Sequence, residues 1–522
     1  PPLFEIVEGE PQGSSPVWGS FVDKYTTHGY GFLELYTNGS FSDHDQAFSA
    51  GIFEGFATAD RARMHYDNLW SQYCAEQTDG CVKLFQFIGT TLRYMEQQAA
   101  LLADKDPYWH QVDMVLTQLL AMSAGIRAQG EQRLFSPRDL DRTDASMVLF
   151  LNLDGEVDDI EATFKPVSSS SSDEPVAGLR ADSALVKLLP GNKDLLLAHV
   201  SGGRYSGMTK ILKKYSLNLH TTASSGSLIP GNTYSSSSSP GKLFSGDDFY
   251  LLSSRLALMS TGVEVSNSSL YRFITPQCVF EFVRAIVANR LASTAQEWMD
   301  IYSRYPSGTN SKQWMVVDYN SFKPGQELRN GTLWILESLP GYIHTQDVTS
   351  VLQGQSYWPS YNIPYSPLIF QLSGAPFYVK KYGDWFTYDK HPRAQIFKRD
   401  HGKVVDADSM ISLMRYNDFK HDPLSQCACI PPYSAVNAIS ARSDLNIQPG
   451  RYAFPALGPA ARGALDMKMA NTSLAANFRL VAVAGPTHDR QPPFRWSTSG
   501  FDDPHAGQPD LWNFAPFVCT WG

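Results

Sequence analysis

Residues 178–191, GLRADSALVKLLPG, set an acid and a hydroxyl side by side where a serine-rich stretch gives way to an apolar run. Asp182 and Ser183 head that run, and His199 stands near the end of the next one, LLLAHVS. The two runs read as a hairpin, and an acid or a hydroxyl at its start is a candidate for acid–base or nucleophilic chemistry. Side chains alternate along a strand, so Ser183 is expected to point away from any pocket that Asp182 faces. Asp247-Asp248 is a second acidic candidate. Read as neighbouring strand residues, the two diverge and cannot flank one substrate bond, so a structural role is expected.

Six cysteines offer a different chemistry: Cys74, Cys81, Cys278, Cys427, Cys429 and Cys519. Cys74 and Cys81 can close a small loop. Cys427 and Cys429 form a C-x-C. A zinc site wants four ligands at suitable spacing, and no second C-x-x-C or paired histidine lies nearby, so disulfides are favoured over metal. A bond between Cys427 and Cys429 would be strained, which leaves their pairing open. The chain has no G-x-S-x-G elbow, Walker A loop, H-E-x-x-H or G-x-G-x-x-G. The serine-hydrolase, NTPase, zincin and dinucleotide readings lose their usual support.

The elements that must position these residues can be read coarsely. HGYGFLELYTNGS (28–40) reads as a strand ending in a turn. Amphipathic helices are predicted near 55–75, 83–103 and 108–128. ASMVLFLN (145–152) reads as a strand. KPVSSSSSDEPVAG (165–178) has no apolar periodicity and is expected to be a mobile, protease-sensitive loop. SALVKLL and LLLAHVS form a hairpin around PGNKD. GMTKILKKYSL (207–217) and CVFEFVRAIVANRLA (278–292) read as helices. TYSSSSSPG (233–241) reads as a short surface connection before the strand LFSGDDFYLLSS. The organisation expected is an N-terminal part over 1–164, a linker over 165–181 and a core over 182–522, packed as one unit.

Composition narrows the partners. The 522 residues are 43% hydrophobic and 18% charged, with 25 Tyr, 29 Phe and 11 Trp, which predicts a stiff aromatic core. The formal net charge is -9 without a basic tract, so nucleic acid is not an expected partner. No apolar run reaches 18 residues, so no transmembrane helix is predicted. The start, PPLFEIVEGE, is not a signal peptide. Sequons at Asn38, Asn267, Asn330 and Asn471, together with the cysteines, point to a secretory-route glycoprotein whose signal has been removed. A homodimer is the default assembly, two-fold dimers being the commonest oligomers.

Several stretches together carry a resemblance. They are SALVKLLPGNKDLLLAH (183–199), SGDDFYLL (245–252), YWPSYNIP (357–364), PRAQIFKRD (392–400), MRYNDFKHDPLS (414–425), NAISARSDLN (437–446) and QPDLWNFAPF (508–517). Over nearly the whole chain the sequence resembles the phospholipase B-like family. The resemblance implies an N-terminal nucleophile hydrolase fold of the α+β class, a four-layer αββα sandwich. It implies cleavage of a linker to free an N-terminal cysteine, whose thiol attacks an acyl ester or amide carbon while its α-amine serves as base. It implies no cofactor, a lipid or acyl-amide ligand, and a lysosomal or secreted location. The family reads Cys-Ser-Ala-Leu where this chain reads Asp182-Ser183-Ala184-Leu185. The family's tryptophan, three residues after its histidine, is replaced by Gly202. His199, Asn362 as an oxyanion donor, Arg393 in the pocket and Thr261 (or its neighbour Ser260) match the remaining site positions. A carboxylate is a weak nucleophile, so the expectation is a family member with impaired catalysis, a pseudoenzyme. The alternative is an active acyl hydrolase with an altered nucleophile.

Overall fold

The structure, a computed structural model, describes residues 4–10, 13–74, 79–128, 134–135, 146–164 and 180–522. The linker read over 165–178 lies outside the described residues. The hairpin at its far end forms: Ser183–Leu188 pairs antiparallel with Leu195–Arg204, with Ser183 opposite Val200 and Ala184 opposite His199. Four more strands complete a six-stranded sheet in the order Tyr357–Ser360, Ser183–Leu188, Leu195–Arg204, Arg462–Ala470, Leu480–Ala484 and Phe517–Cys519.

A nine-stranded sheet faces it. Its order is Tyr342–Asp347, Leu333–Leu339, Lys312–Asp318, Leu256–Gly262, Phe249–Leu252, Thr233–Ser238, Lys210–Ser216, Tyr30–Thr37 and Val17–Lys24. Only the contact between Tyr30–Thr37 and Lys210–Ser216 is parallel, so the N-terminal part completes the large sheet. Ala184, Val186 and Leu197 of the small sheet share a core with Leu251, Met259 and Val317 of the large one. The other face of the large sheet packs Leu258 and Trp314 against Met114, Ala285 and Trp298 from helices. The other face of the small sheet packs Leu185, Leu196 and Met467 against Ile396, Phe397 and Met414 from the helices Pro392–Asp400 and Ala407–Met414. The architecture is mixed α+β. Strands covered on both faces read as continuous apolar runs, which is why SALVKL is buried throughout.

Helices form where periodicity placed them, at Asp43–Trp70, Asp79–Leu102, Pro107–Arg127 and Glu281–Leu291. The first begins earlier than read because Ser42 caps it, its side chain accepting from the Asp45 amide. Three readings are corrected. Residues 145–152 hold a helix, Ser146–Asn152, since a short apolar run does not distinguish a buried helix from a strand. Residues 207–217 hold the strand Lys210–Ser216. Its lysines are held inside the fold, Lys213 on Glu54 at 2.6 Å and Lys210 on Asp247 at 3.2 Å. The serine run is no surface loop. Thr233–Ser238 is an interior strand, and the Ser237 and Ser238 hydroxyls donate to Asp247 and the Phe244 carbonyl.

Buried Glu156 ties the N-terminal part to the core. It accepts from the Glu281 amide at 3.0 Å and the Thr309 hydroxyl at 2.5 Å. Burial, and then the Glu281 carboxylate, raise its pKa from 4.5 to about 7. The folded chain therefore holds a proton that the unfolded chain releases. The resulting stability is fully present below about pH 4.5 and is lost as pH rises through about 7. Glu156→Gln, which mimics the protonated acid, is expected to match the wild-type Tm at pH 5 and exceed it at pH 8. A Tm difference that does not change with pH would contradict this assignment.

Candidate functional site

Asp182 stands one residue before the strand Ser183–Leu188, on the face that looks toward the large sheet. Three donors converge on its carboxylate. The Gly202 amide donates to Oδ1 at 2.9 Å. The Gly262 amide and Asn362 Nδ2 donate to Oδ2 at 3.3 and 3.1 Å. Each donor has a local reason to be there. Gly202 lies against the peptide before Asp182: a Cβ on it would sit 2.4 Å from the Ala181 carbonyl carbon. A Cβ on Gly262 would strike Arg180. Asn362 adopts φ 71°, a left-handed conformation that asparagine tolerates better than most residues.

Arg393 orients the asparagine. Its Nη2 donates to Asn362 Oδ1 at 2.9 Å and to the Tyr361 carbonyl at 2.9 Å. A guanidinium can only donate, so the amide must present its NH2 to Asp182 and to the Gly262 carbonyl. Arg393 Nη1 also donates to the Asp182 carbonyl and, at 3.1 Å, to Ser183 Oγ. Burial lowers the Arg393 pKa to about 10 against the attraction of Asp182, which leaves it charged at physiological pH.

The structure thus brings Asp182, Asn362 and Arg393 together. Ser183 takes the other strand face, where its hydroxyl donates to the Ile439 carbonyl at 2.8 Å. His199 and Thr261 are buried and do not line the cleft beside Asp182. His199 Nε2 bonds the Ser260 carbonyl at 2.9 Å, while Nδ1 has no partner among the described residues. Burial, and then Lys468, lower its pKa to about 4, so the imidazole is neutral at mildly acidic pH. Thr261 bonds Ser360 at 2.6 Å and ties one sheet to the other.

The cleft beside Asp182 encloses about 450 Å³ at one end of the facing sheets, bounded also by the helix Asp43–Trp70. The sequence reading missed most of its wall. Asp247 and Asp248 lie in a turn rather than a strand, with Asp248 at φ 54°, and both line the cleft. Their roles are split. Asp247 pairs with Lys468 at 2.5 Å, and Lys468 also holds Asp466 at 2.7 Å. Burial would raise the Asp247 pKa, but Lys210 and Lys468 outweigh it and hold the group well below the carboxylate range. Asp248 pairs with Lys312 at 2.6 Å, and burial raises it to about 6. The alternating D-M-K of residues 466–468, charges inside an apolar strand, was the available signal for this network.

Disulfides join Cys74 to Cys81 and Cys427 to Cys429, while Cys278 and Cys519 are free and buried. Among the described residues no cluster of three or more His, Cys, Asp or Glu could hold a metal ion, and no helix is long and apolar enough to cross a membrane. Asn330 is exposed, whereas Asn38, Asn267 and Asn471 are half-buried and hydrogen-bonded, Asn38 to the Gly13 carbonyl, Asn267 to the Leu372 carbonyl and Asn471 to the Leu474 amide.

The Phospholipase B family profile matches residues 17–519. The chain belongs to the phospholipase B family. It is 42% identical to phospholipase B-like 2 of Rattus norvegicus over 97% of this chain and 86% of that protein. The identity to the Homo sapiens phospholipase B-like 2 is also 42%, over 97% and 85%. Phospholipase B-like protein B of Dictyostelium discoideum is 36% identical over 98% and 86%. Within this family member, the donors around residue 182 are occupied by the chain's own carboxylate.

That occupancy is testable by removing charge while keeping shape. Asp182→Asn turns an NH2 group toward at least one N–H donor. The expected cost is about 1–3 kcal/mol, the usual penalty for an unsatisfied buried donor. Urea unfolding measures it, and a change below about 0.5 kcal/mol, the range of neutral surface substitutions, would show that the carboxylate does not hold the cradle.

Proposed function

We propose that this chain is an N-terminal nucleophile hydrolase-type αββα protein of the secretory route that keeps the polar cleft of its family but does not hydrolyse acyl esters or amides. One observation carries the reading. The Asp182 carboxylate fills the donor set formed by Gly202, Gly262 and Asn362, where an oxyanion would need to be received. The proposal includes that the Ala181–Asp182 bond stays uncut, since an amide nitrogen within a chain cannot act as a base. Gly202 fits the intact chain for the same reason: the Ala181–Asp182 peptide takes the space a side chain there would need. The division into 1–164, a linker over 165–181 and a core from 182 belongs to this proposal, as do glycosylation at the four sequons and a lysosomal or secreted location.

A second reading keeps the family's acyl hydrolysis with an altered nucleophile. It is favoured by the clustering of Asn362 and Arg393 on Asp182. Turnover separates the two. Short-chain acyl esters, phospholipid vesicles and N-acyl amides are incubated at pH 4 to 7 with wild type and with Asp182→Ala. The expected rates are equal and indistinguishable from the blank. Wild-type hydrolysis that disappears in Asp182→Ala would overturn the proposal.

A further inference from the structure

The basic side chains of the cleft are not all balanced. Lys210 faces Asp247, Lys242 faces Asp154 at 2.6 Å, and Lys312 faces Asp248. Arg180 donates to Asn310 and lies near Glu264. Arg204 and Arg462 differ. Both line the cleft, and neither has a hydrogen bond or ion pair among the described residues. They also stand directly opposite each other on the paired strands Leu195–Arg204 and Arg462–Ala470. Opposed residues on antiparallel strands share a face at close range, and like charges there are destabilising. The carboxylates nearest to them act only at longer range: Asp154 and Asp158 on Arg204, Glu264 and Asp182 on Arg462. Burial, and then Arg204, lower the Arg462 pKa. The fold thus sets two guanidinium groups together with no carboxylate in ion-pair contact among the described residues.

A second observation sits in the same cleft. His65, on the helix Asp43–Trp70, is 1% exposed and lines the cavity, yet neither ring nitrogen has a partner among the described residues. Burial, and then Lys242, lower its pKa to about 3, so it is a neutral imidazole with one donor and one acceptor to offer. An unpaired buried polar group costs stability unless something satisfies it.

We infer that the cleft binds a water-soluble, hydroxylated small molecule through a phosphate or carboxylate group held by Arg204 and Arg462, with its hydroxyls reaching His65. Two guanidinium forks match the oxygens of such an anion, and Arg204 is exposed at the strand end, where a solute can reach it. An acyl chain gains by leaving water for apolar walls, whereas this cleft presents six basic and five acidic side chains. The inference rests on reading the cleft as a retained ligand site. It does not require Asp182 to react.

Calorimetric titration at low salt tests it with inorganic phosphate and glycerol 3-phosphate as probes. Both are expected to bind at one saturable site. Arg204→Ala and Arg462→Ala should each weaken binding at least tenfold, and Arg462→Lys, which keeps charge but not the fork, by less. Lys323→Ala, at an exposed lysine outside the cleft, should change nothing. His65→Ala should weaken glycerol 3-phosphate but not inorganic phosphate. Thermal melts establish that the variants fold. The inference is overturned by absent binding, or by binding that survives loss of both arginines. Arginine-dependent capture by phosphatidylglycerol vesicles without binding of glycerol 3-phosphate would equally overturn the water-soluble assignment. Turnover lost in Asp182→Ala, with arginine-dependent binding intact, would defeat the non-catalytic reading and leave this one standing.

Discussion

One half-buried carboxylate organises this end of the molecule. Asp182 joins the segment before the small sheet to the start of that sheet, and its side chain collects donors from three separate elements. The Gly202 amide belongs to the partner strand of the hairpin, the Gly262 amide to the large sheet, and Asn362 to the loop after the strand Tyr357–Ser360. A carboxylate accepts without donating, so it suits a place where every neighbour points an N–H inward. The two sheets are registered against each other here by polar contacts, and elsewhere by interdigitated apolar side chains.

The same constraint explains the surroundings. Arg393 supports Asp182 by fixing the asparagine and by holding the Asp182 and Tyr361 carbonyls. The glycines at 202 and 262 allow backbone to come close enough to donate. Lys468, Asp247 and Asp466 continue the polar layer beneath the cleft, each charge answered by another. A pair broken in such a setting leaves a buried charge uncompensated, so the layer acts as a unit. Arg204 and Arg462 stand outside this balance, and the account gives that imbalance to a ligand.

Much of this was legible in the sequence, and the failures have physical causes. Long amphipathic runs gave their helices to within a few residues, except at the first helix, whose Ser42 cap lies well upstream of the reading. The hairpin around Asp182 was readable because strands covered on both faces are continuously apolar. Asn362 and Arg393 reached the site list through family resemblance, since no local spacing links residues 180 and 211 positions away. Lys210–Ser216 was misread because buried lysines mimic a solvated face until their carboxylates are known. The serine strand was misread because small hydroxyl side chains look like a linker until the turn that follows is seen to supply their partners. Arg204 and Arg462 were invisible because strand register, not sequence distance, makes them neighbours.

The central claim is that residue 182 remains inside an uncut chain whose donors are filled by its own carboxylate. N-terminal sequencing of the reduced, denatured protein from its natural source, with the mass of every chain, tests this most directly. The account predicts that no chain begins at Asp182, whether or not proteases nick the serine-rich stretch before it. A chain beginning at Asp182 in stoichiometric amount would contradict it. The α-amine would then be free beside the cradle, and the cleft would have to be treated as processed for chemistry.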